Sequence, residues 1–434
     1  MYDTTTDSLP TLVVLVGVQL PDVSDAEFAD SLAELGRLAK TLGHEVRGQV
    51  TQRRSAIDHV AFLGPGKLGE LKQLIEEGRR AEPERAWLVL LDDEVTPTRT
   101  RNVAEATGAS VLDRTALILE IFHRHATSRA ARAQVEIVRL AYLAPRQREA
   151  RKGSGERQQG GLRGRGAGEA AGETDRRKVR DRIAELREEL AEIDRDRQTQ
   201  RHRRGDQRRV ALVGYTNAGK STLMRALTSS EVLVADKLFA TLDTTVRALQ
   251  PPVEPRILVS DTVGFIKKLP HGLVASFKST LDEALEAELL LHLVDISDPA
   301  FESQLATTRQ VLAEIGAGEV PALLLFNKAD RLTDAPALLT RLAARFPEAL
   351  VVSAKDPADV ARIRERLLHF FDGGIEEAEI RIPHAQAALR AQVFASCAVL
   401  GERYDEEGGS YRVRGTRAVL ERVQGLLQAA ATRR

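Results

Sequence analysis

The sequence predicts a multi-domain α/β protein with a helical hairpin between two regions of parallel sheet. Apolar runs of strand length alternate with amphipathic helical stretches over 11–112 and again over 208–373, as in parallel βα units. A helical pattern broken by dense glycine separates the two regions, and a short mixed pattern follows them. We therefore expect four domains: a parallel α/β domain at 1–115, a helical hairpin at 116–205, a doubly wound domain at 206–373 and a small α+β domain at 374–434.

The overall composition is that of a soluble globular protein and points to no particular partner. Of the 434 residues, 43% are apolar, and 63 basic side chains balance 63 acidic ones. The single cysteine, Cys397, excludes internal disulfides and cysteine-rich zinc sites. The apolar run from Leu12 to Val18 is too short to span a membrane and is typical of a buried strand. We expect a cytoplasmic protein without a membrane span.

The N-terminal domain should begin with a strand and a helix at 26–42, followed by further βα units. Strands are predicted at 45–50, 86–91 and 110–112, and helices at 67–77 and 98–107. Gly64, Pro65, Gly66 and Lys67 precede one of these helices, where backbone amides could bind an anion. A tight helix-entry loop explains the same residues equally well. An ATP site there is the weaker hypothesis, because no second P-loop or Mg²⁺-binding acid accompanies these residues.

Two helices joined by a glycine-rich tip are predicted for the middle of the chain. The second helix has an apolar seam with spacings of four and three, formed by Val179, Ile183, Leu186, Leu190 and Ile193. Over 151–173 glycine is dense and almost no apolar residue apart from Leu162 occurs, so we expect a flexible loop.

The hairpin carries a local excess of positive charge. Residues 139–209 contain 21 basic and 13 acidic side chains, a net charge of about +8 in a chain that is neutral overall. This density with almost no aromatic residue favours contact with RNA phosphates rather than base stacking. The tip residues that we expect to be unable to pack inward are Arg146, Arg148, Arg151, Lys152, Arg157, Arg163 and Arg165. A solvated hairpin that packs only on its own chain is the alternative.

A phosphate-binding P-loop follows the first strand of the second α/β region. Its residues are Gly214, Tyr215, Thr216, Asn217, Ala218, Gly219, Lys220 and Ser221. Glycines let successive backbone N–H groups point at phosphate oxygens, and the following helix N-terminus adds positive potential. Lys220 would reach the β- and γ-phosphates, and Ser221 would supply a hydroxyl for Mg²⁺.

Three further motifs, each after a predicted strand, favour GTP among the nucleotides. The first, Asp261, Thr262, Val263 and Gly264, suits an Asp that holds Mg²⁺ through water and a Gly whose N–H contacts the γ-phosphate. The second is Asn327, Lys328, Ala329 and Asp330, whose carboxylate can accept hydrogen bonds from guanine's imino and amino groups. The third, Ser353, Ala354 and Lys355, would lie behind the base. Four motifs in this order predict a GTPase.

The mobile switch between the P-loop and Asp261 must supply a threonine to the Mg²⁺ shell. The candidate segment is Phe239, Ala240, Thr241, Leu242 and Asp243. On chemistry alone, Thr241, Thr244 and Thr245 compete for this role. Catalytic roles fall to Lys220 and Gly264, while Phe265 stands where Ras-like enzymes place a water-orienting glutamine. A slow intrinsic rate that needs an activator is expected.

These motifs together resemble the HflX family of translational GTPases, which is related to Obg. The resemblance rests on 239–243 next to 261–266 and covers nearly the whole chain. Outside the nucleotide motifs it includes 50–54, 64–67, 92–94 with Arg101 and Asn102, 111–115, 134–136 with Tyr142, and 173–177. Two places depart from the family pattern: Thr244 replaces a proline, and 166–175 lacks a proline and a leucine.

The resemblance implies a GTPase that binds GTP and GDP, attaches to the large ribosomal subunit and splits stalled or stressed ribosomes. It also implies that Ser221 and Thr241 are the Mg²⁺ ligands, and it implies a cytoplasmic monomer that associates with ribosomes or peripherally with a membrane. Because no nearby residue offers a water-orienting group, we hypothesise that the ribosome is the activator. A GTP-switched assembly or hibernation factor that does not split ribosomes is the alternative. Asn217 resembles the asparagine of potassium-activated GTPases, so K⁺ is a possible second cation; a plain loop-capping asparagine explains it equally well.

Overall fold

The structure is a computed structural model that describes most of the chain in two compact units. The described residues are 10–155, 165–202, 207–229, 238–239, 245–270, 273, 278–332, 336–372, 375–383, 390, 393–394, 397–405, 408–416, 420, 423–425 and 427. The first unit comprises 1–251 with 255–354, and the second comprises 252–254 with 355–434.

The N-terminal part of the first unit is a four-stranded parallel sheet with helices on both faces. Its elements are β1 (Leu12–Gln19), α1 (Asp25–Thr41), β2 (Glu45–Arg53), α2 (Pro65–Ala81), β3 (Trp87–Leu91), α3 (Pro97–Thr107), β4 (Ser110–Asp113) and α4 (Arg114–His125). The strand order is β2-β1-β3-β4, and all neighbours are parallel. Each predicted strand and helix of this domain is confirmed, with ends that move by a few residues.

Two hydrophobic clusters flank this sheet, because β1 is buried on both faces. Val13 and Leu15 pack with residues of α1 and α4, while alternate β1 residues such as Val14 pack with residues of α2 and α3. A capping box starts α1, where Ser24 accepts a hydrogen bond from the Glu27 amide and the Glu27 carboxylate accepts one from the Ser24 amide.

The loop before α2 is held by its own side chains. Gln52 Oε1 accepts a hydrogen bond from the Gly64 amide (2.9 Å), and Lys67 Nζ pairs with Glu70 (2.7 Å). The Gly64 amide and the Lys67 ammonium are therefore engaged within the fold, which supports the helix-entry interpretation of this segment.

The helical hairpin is present, and its helices are longer than expected. Helix α5 spans Arg129–Gly155 and helix α6 spans Arg165–His202. Arg129, at the start of α5, bonds Glu189 in the second half of α6 (2.9 Å), as in an antiparallel pair. The expectation of a loop over the whole of 151–173 is wrong at both ends, since helix continues to Gly155 and resumes at Arg165; residues 156–164 lie outside the described part of the chain.

The second α/β region forms a six-stranded sheet in the order β10-β9-β8-β5-β7-β6. Its elements are β5 (Arg208–Gly214), α7 (Lys220–Thr228), β6 (Thr245–Ala248), β7 (Ile257–Asp261), α8 (Lys278–Leu285), β8 (Leu289–Asp295), α9 (Phe301–Glu314), β9 (Ala322–Asn327), α10 (Pro336–Arg345) and β10 (Leu350–Val351). The five predicted strands are confirmed and parallel. The sequence did not predict β6, a short edge strand antiparallel to β7. The described residues include no helix long and apolar enough to cross a membrane.

The second unit contains helix α11 (Pro357–Asp372) and a three-stranded antiparallel sheet. Its strands are β11 (Ile375–Pro383), β12 (Ala398–Tyr404) and β13 (Gly408–Thr416), in the order β11-β13-β12. The break between the compact units falls after Ala354, whereas the predicted domain boundary lies at 373.

Candidate nucleotide-binding site

The P-loop joins β5 to α7 through two glycines that no other residue could replace without movement. Gly214 has φ +150°, and a Cβ there would lie 2.3 Å from the Leu293 carbonyl oxygen. Gly219 has φ +98°, and its Cβ would lie 2.2 Å from Asn327 Nδ2. Left-handed backbone and close approach both require glycine at these points. The loop thus curls tightly at the amino end of α7, where amide groups can meet phosphate.

Lys220 is buried within this loop at the first position of α7. Its Nζ donates hydrogen bonds to the carbonyl oxygens of Gly214 (3.1 Å) and Tyr215 (2.9 Å). Burial disfavours the charged ammonium and lowers the pKa of Lys220 to about 8, although the nearby Asp261 carboxylate opposes the shift. A lysine held among backbone carbonyls, next to a curl of amides, is suited to meet the oxygens of a nucleotide's phosphates.

The Mg²⁺ chemistry is supported by two oxygen groups at this end of the sheet. Ser221 Oγ donates a hydrogen bond to Asp261 Oδ2 (2.8 Å), and Asp261 is fully buried at the end of β7. The described residues contain no cluster of three His, Cys, Asp or Glu side chains that could hold a metal alone. Hydroxyl and carboxylate oxygens fit Mg²⁺, which typically takes few protein ligands and completes its shell with phosphate and water.

The segment after Asp261 lies against the P-loop backbone. The Phe265 amide donates to the Gly214 carbonyl (3.2 Å), and the Thr216 amide donates to the Phe265 carbonyl (2.7 Å). A Cβ on Gly264 would lie 2.7 Å from Thr216 Cα and 3.0 Å from Lys220 Nζ. Gly264 therefore lies in close contact with the P-loop backbone and Lys220, and the Phe265 side chain is 2% exposed.

The base-recognition motifs are joined to the P-loop by direct hydrogen bonds. Asn327 Nδ2 donates to the Ala218 carbonyl (2.8 Å), and Asn327 Oδ1 accepts from the Ala354 amide (2.9 Å). Ser353 Oγ donates to Asp330 Oδ1 (2.7 Å) and so orients the carboxylate assigned to guanine. The structure thus brings together the P-loop, residues 327–330 and residues 353–354, while Lys355 begins the second unit.

One partner within this motif was missed by sequence reasoning. Lys328 adopts a left-handed conformation (φ +65°), and its Nζ lies 2.7 Å from Asp295 Oδ2. Asp295 ends β8, beside β9 in the sheet. The position of Asp295 at the carboxyl end of a central strand was the feature of the sequence that could have indicated this contact.

Switch I is described only at its first residue. Phe239 is 2% exposed, and its amide donates to Thr216 Oγ1 (3.0 Å). Ala240, Thr241, Leu242, Asp243 and Thr244 lie outside the described residues, so the candidates Thr241 and Thr244 have no observed position. Thr245 starts β6.

The basic tip residues divide into three groups. Arg157 and Arg163 lie outside the described part of the chain, while Arg148, Arg151, Lys152 and Arg165 fall within helices α5 and α6. Arg146 was expected to be unable to pack inward, and this is wrong. Its guanidinium lies 3.0 Å from buried Asp113, donates to the Val95 carbonyl (2.7 Å) and stacks 3.4 Å from the Tyr142 ring. The attraction of the Arg146 guanidinium to the buried Asp113 carboxylate therefore draws this side chain inward.

A buried polar network joins the N-terminal domain to the P-loop and was also not predicted. Glu34 on α1 forms an ion pair with Arg114 and accepts a hydrogen bond from the Tyr215 hydroxyl. That hydroxyl also accepts from the Lys267 amide (2.7 Å). Burial and the Glu34 carboxylate raise the pKa of Tyr215, so the phenol stays protonated and donates.

The same network continues to the end of β3. Arg114 also donates to Asp92 (2.8 Å), and Lys268 Nζ lies 2.6 Å from Asp93 Oδ1 and 2.7 Å from the Asp92 carbonyl oxygen. Asp92, Asp93 and Arg114, from two segments singled out in the sequence, therefore contact Lys267 and Lys268, which follow Asp261–Gly264.

Comparison with known proteins covers the chain in three segments. A family model described as GTP-binding GTPase N-terminal matches 29–123, one described as GTP-binding GTPase Middle Region matches 125–204, and one described as 50S ribosome-binding GTPase matches 209–328.

Similar curated proteins match almost the entire chain. The GTPase HflX of Gluconacetobacter diazotrophicus is 51% identical over 96% of this chain and 98% of that protein. The GTPase HflX of Escherichia coli is 36% identical over 91% of each chain. Among solved structures, a GTP-binding protein from Sulfolobus solfataricus in complex with GDP is 22% identical, with a TM-score of 0.44, over 83% of this chain and 98% of that one.

Proposed function

Because this chain belongs to the HflX family of GTPases and hydrolyses GTP to GDP and phosphate, we propose that it binds the large ribosomal subunit and splits stalled or stressed ribosomes. GTP binding at this site is supported by two hydrogen bonds, one from Asn327 to the P-loop and one from Ser353 to Asp330. The ribosomal part is supported by the family described as 50S ribosome-binding GTPase and by the basic hairpin.

Within the site, Ser221 and Thr241 would hold Mg²⁺, which when bound would supply positive charge against the negative charge that develops during hydrolysis. Ser221 Oγ already lies 2.8 Å from the Asp261 carboxylate, which would bind metal-bound water. Lys220 offers its ammonium to the phosphates, and the Gly264 amide donates to the γ-phosphate. Asp330 accepts hydrogen bonds from guanine, and adenine presents no matching donors there.

The intrinsic rate is slow because Phe265 cannot orient the attacking water. Its side chain is buried and its backbone is bonded to the P-loop, so the residue contributes shape without a polar group. The ribosome supplies the missing orienting group. A Phe265→Gln variant with faster ribosome-independent hydrolysis would support this explanation, and an unchanged rate would contradict it.

Contact with rRNA falls to the basic residues near the hairpin tip, namely Arg148, Arg151, Lys152, Arg157, Arg163 and Arg165. Arg146 is left out, because its guanidinium pairs with Asp113. Hydrolysis measured with purified large and small subunits tests this assignment. We expect stimulation by large subunits, and less of it when the six residues are replaced by glutamine or when salt is raised. Equal stimulation of the wild type and the six-residue variant would contradict the assignment.

We further propose that Asn217 would hold K⁺ beside the phosphates. It adopts a left-handed conformation (φ +62°) at the apex of the P-loop, which asparagine tolerates well. Hydrolysis should therefore be faster in potassium than in sodium at equal ionic strength. Equal rates in the two salts would leave Asn217 as a loop-capping residue only.

The second candidate function is a GTP-switched factor for large-subunit assembly or hibernation. The basic hairpin supports this function equally, because it would hold a free large subunit as well as an intact ribosome. The two candidates differ in whether intact ribosomes separate when the protein binds.

A further inference from the structure

Residues 238–239, at the entry to the switch I segment 239–243, are enclosed by residues of the N-terminal domain and of the P-loop, which together we call the cage. Leu238 and Phe239 are 5% and 2% exposed. The Leu238 amide donates to Thr41 Oγ1 on α1 (3.3 Å), and the Phe239 amide donates to Thr216 Oγ1 in the P-loop (3.0 Å). The Phe239 carbonyl oxygen accepts a hydrogen bond from Nδ1 of His125 on α4 (2.8 Å). Every backbone polar group named here has its partner outside switch I.

An aromatic contact completes this cage. The rings of Phe239 and Phe122 have centroids 4.5 Å apart and are tilted by 51°, and Phe122 is fully buried on α4. Such a pair contributes beyond the area that it buries. Phe239 also adopts φ +58°, a left-handed conformation that is unfavourable for an aromatic residue and persists only where neighbours fix it.

We propose that His125 and Phe122 are positioning residues for the Mg²⁺·GTP state of the site. They hold Phe239 against Thr216 of the P-loop. Phe239 lies two residues before Thr241 along the chain. Fixing this point reduces the conformational freedom that Thr241 must lose when it ligates the metal. The inference rests on the proposed role of Thr241, and it gives the N-terminal domain a part in nucleotide binding through switch I.

A purely structural role for these residues predicts a different outcome. If Phe122 and His125 only filled the core, their loss would lower stability and affect GDP and GTP binding alike. A positioning role affects the two nucleotides unequally, since GDP has no γ-phosphate to recruit the switch threonine. The affinity ratio between a non-hydrolysable GTP analogue and GDP therefore separates the two roles.

The test measures equilibrium binding of both nucleotides to full-length His125→Leu, His125→Asn and Phe122→Leu variants during a Mg²⁺ titration. We expect His125→Leu to weaken analogue binding roughly five- to tenfold, as for loss of one hydrogen bond and its ordering effect. The Mg²⁺ concentration for half-maximal analogue binding should rise, while GDP affinity stays within about twofold. His125→Asn keeps an N–H donor and should restore much of the loss.

Two controls keep the result interpretable. His123 lies exposed on the same helix, so His123→Leu should change neither affinity. Trp87, the single tryptophan, is buried in β3 and reports by fluorescence whether each variant's N-terminal domain is folded. Equal losses for analogue and GDP, no loss for either, or tighter analogue binding in folded His125→Leu and Phe122→Leu would overturn the proposal.

A Thr241→Ala variant separates this proposal from the function on which it rests. If Thr241→Ala leaves analogue binding and its Mg²⁺ dependence unchanged, the metal-ligand assignment fails and the positioning role falls with it. If Thr241→Ala weakens analogue binding but His125→Leu does not, the assignment stands and only the positioning role is wrong.

Discussion

Replacing Arg114 by methionine should destabilise the N-terminal domain more than any exposed ion pair could. The Arg114 side chain is 1% exposed and forms ion pairs with Glu34 and Asp92, whose side chains are 4% and 2% exposed. Methionine fills similar volume but leaves both buried carboxylates without their main positive partner. Tyr215 still donates to Glu34, and Lys268 remains 3.5 Å from Asp92, so some compensation survives.

The magnitude follows from these contacts. Removing one partner of a buried ion pair typically costs about 3–5 kcal/mol, and the remaining donors place this case near ~3 kcal/mol. With a guanidinium m-value of about 4 kcal/mol/M, the unfolding midpoint should fall by roughly 0.75 M. Adding Glu34→Gln to the Arg114→Met variant removes one stranded charge and should recover part of the loss.

The assay is guanidinium unfolding followed by Trp87 fluorescence, because this single tryptophan is buried in β3 of the affected domain. Arg53→Met is the matched control: Arg53 pairs with Asp25 at 2.7 Å, but both side chains are 74% exposed. Water screens such a pair, so its midpoint should hardly move. Similar shifts for Arg114→Met and Arg53→Met would refute the reasoning.

Three further outcomes concern the nucleotide site. Burial lowers the pKa of Lys220 to about 8, and bound nucleotide phosphates would favour its charged form. Nucleotide binding should therefore take up about half a proton at pH 8 and little at pH 6.5. Calorimetry in buffers of different ionisation enthalpy measures this uptake, and no uptake at pH 8 would contradict the expectation. Gly264→Ala should slow hydrolysis roughly 10²-fold, because its Cβ would lie 2.7 Å from Thr216 Cα; Gly401→Ala, with open space around it, is the control, and similar rates would contradict the expectation. Asp330→Asn should weaken GTP binding by roughly 10²-fold and favour xanthosine triphosphate, whose 2-oxo group accepts from an amide; unchanged GTP selectivity in a binding assay would argue against the guanine role.

The local motifs of this chain could be predicted because spacing alone defines them. Glycines at 214 and 219, the lysine that follows and Asn327 occupy fixed offsets after apolar strands. In the structure, hydrogen bonds join Lys220 to Gly214 and Asn327 to Ala218. The parallel sheets were equally predictable, since buried strands appear as continuous apolar runs. Thr241 and its segment stay a prediction.

Other features depend on contacts between residues distant in sequence, and no local pattern marks them. Tyr215 and Glu34 are 181 residues apart, and His125 and Phe239 are 114 apart. Glu34 and His125 lie on helices α1 and α4, and no local pattern marks them as partners of Tyr215 and Phe239. The prediction of a loop over the whole glycine-rich tip was wrong at both ends for another reason. Each glycine costs a helix only about 1 kcal/mol, and neighbouring Arg, Ala and Glu, which favour helix, offset this cost near Gly155 and Arg165.

Sedimentation of intact ribosomes mixed with this protein tests the central proposal most directly. The mixture contains either GTP or a non-hydrolysable analogue, and a Lys220→Ala variant serves as the nucleotide-binding control. We expect free subunits to appear with both nucleotides but not with the variant, because binding energy separates the subunits and hydrolysis serves release. Ribosomes that stay whole, while the protein sediments with free large subunits, would contradict splitting and favour the assembly or hibernation function.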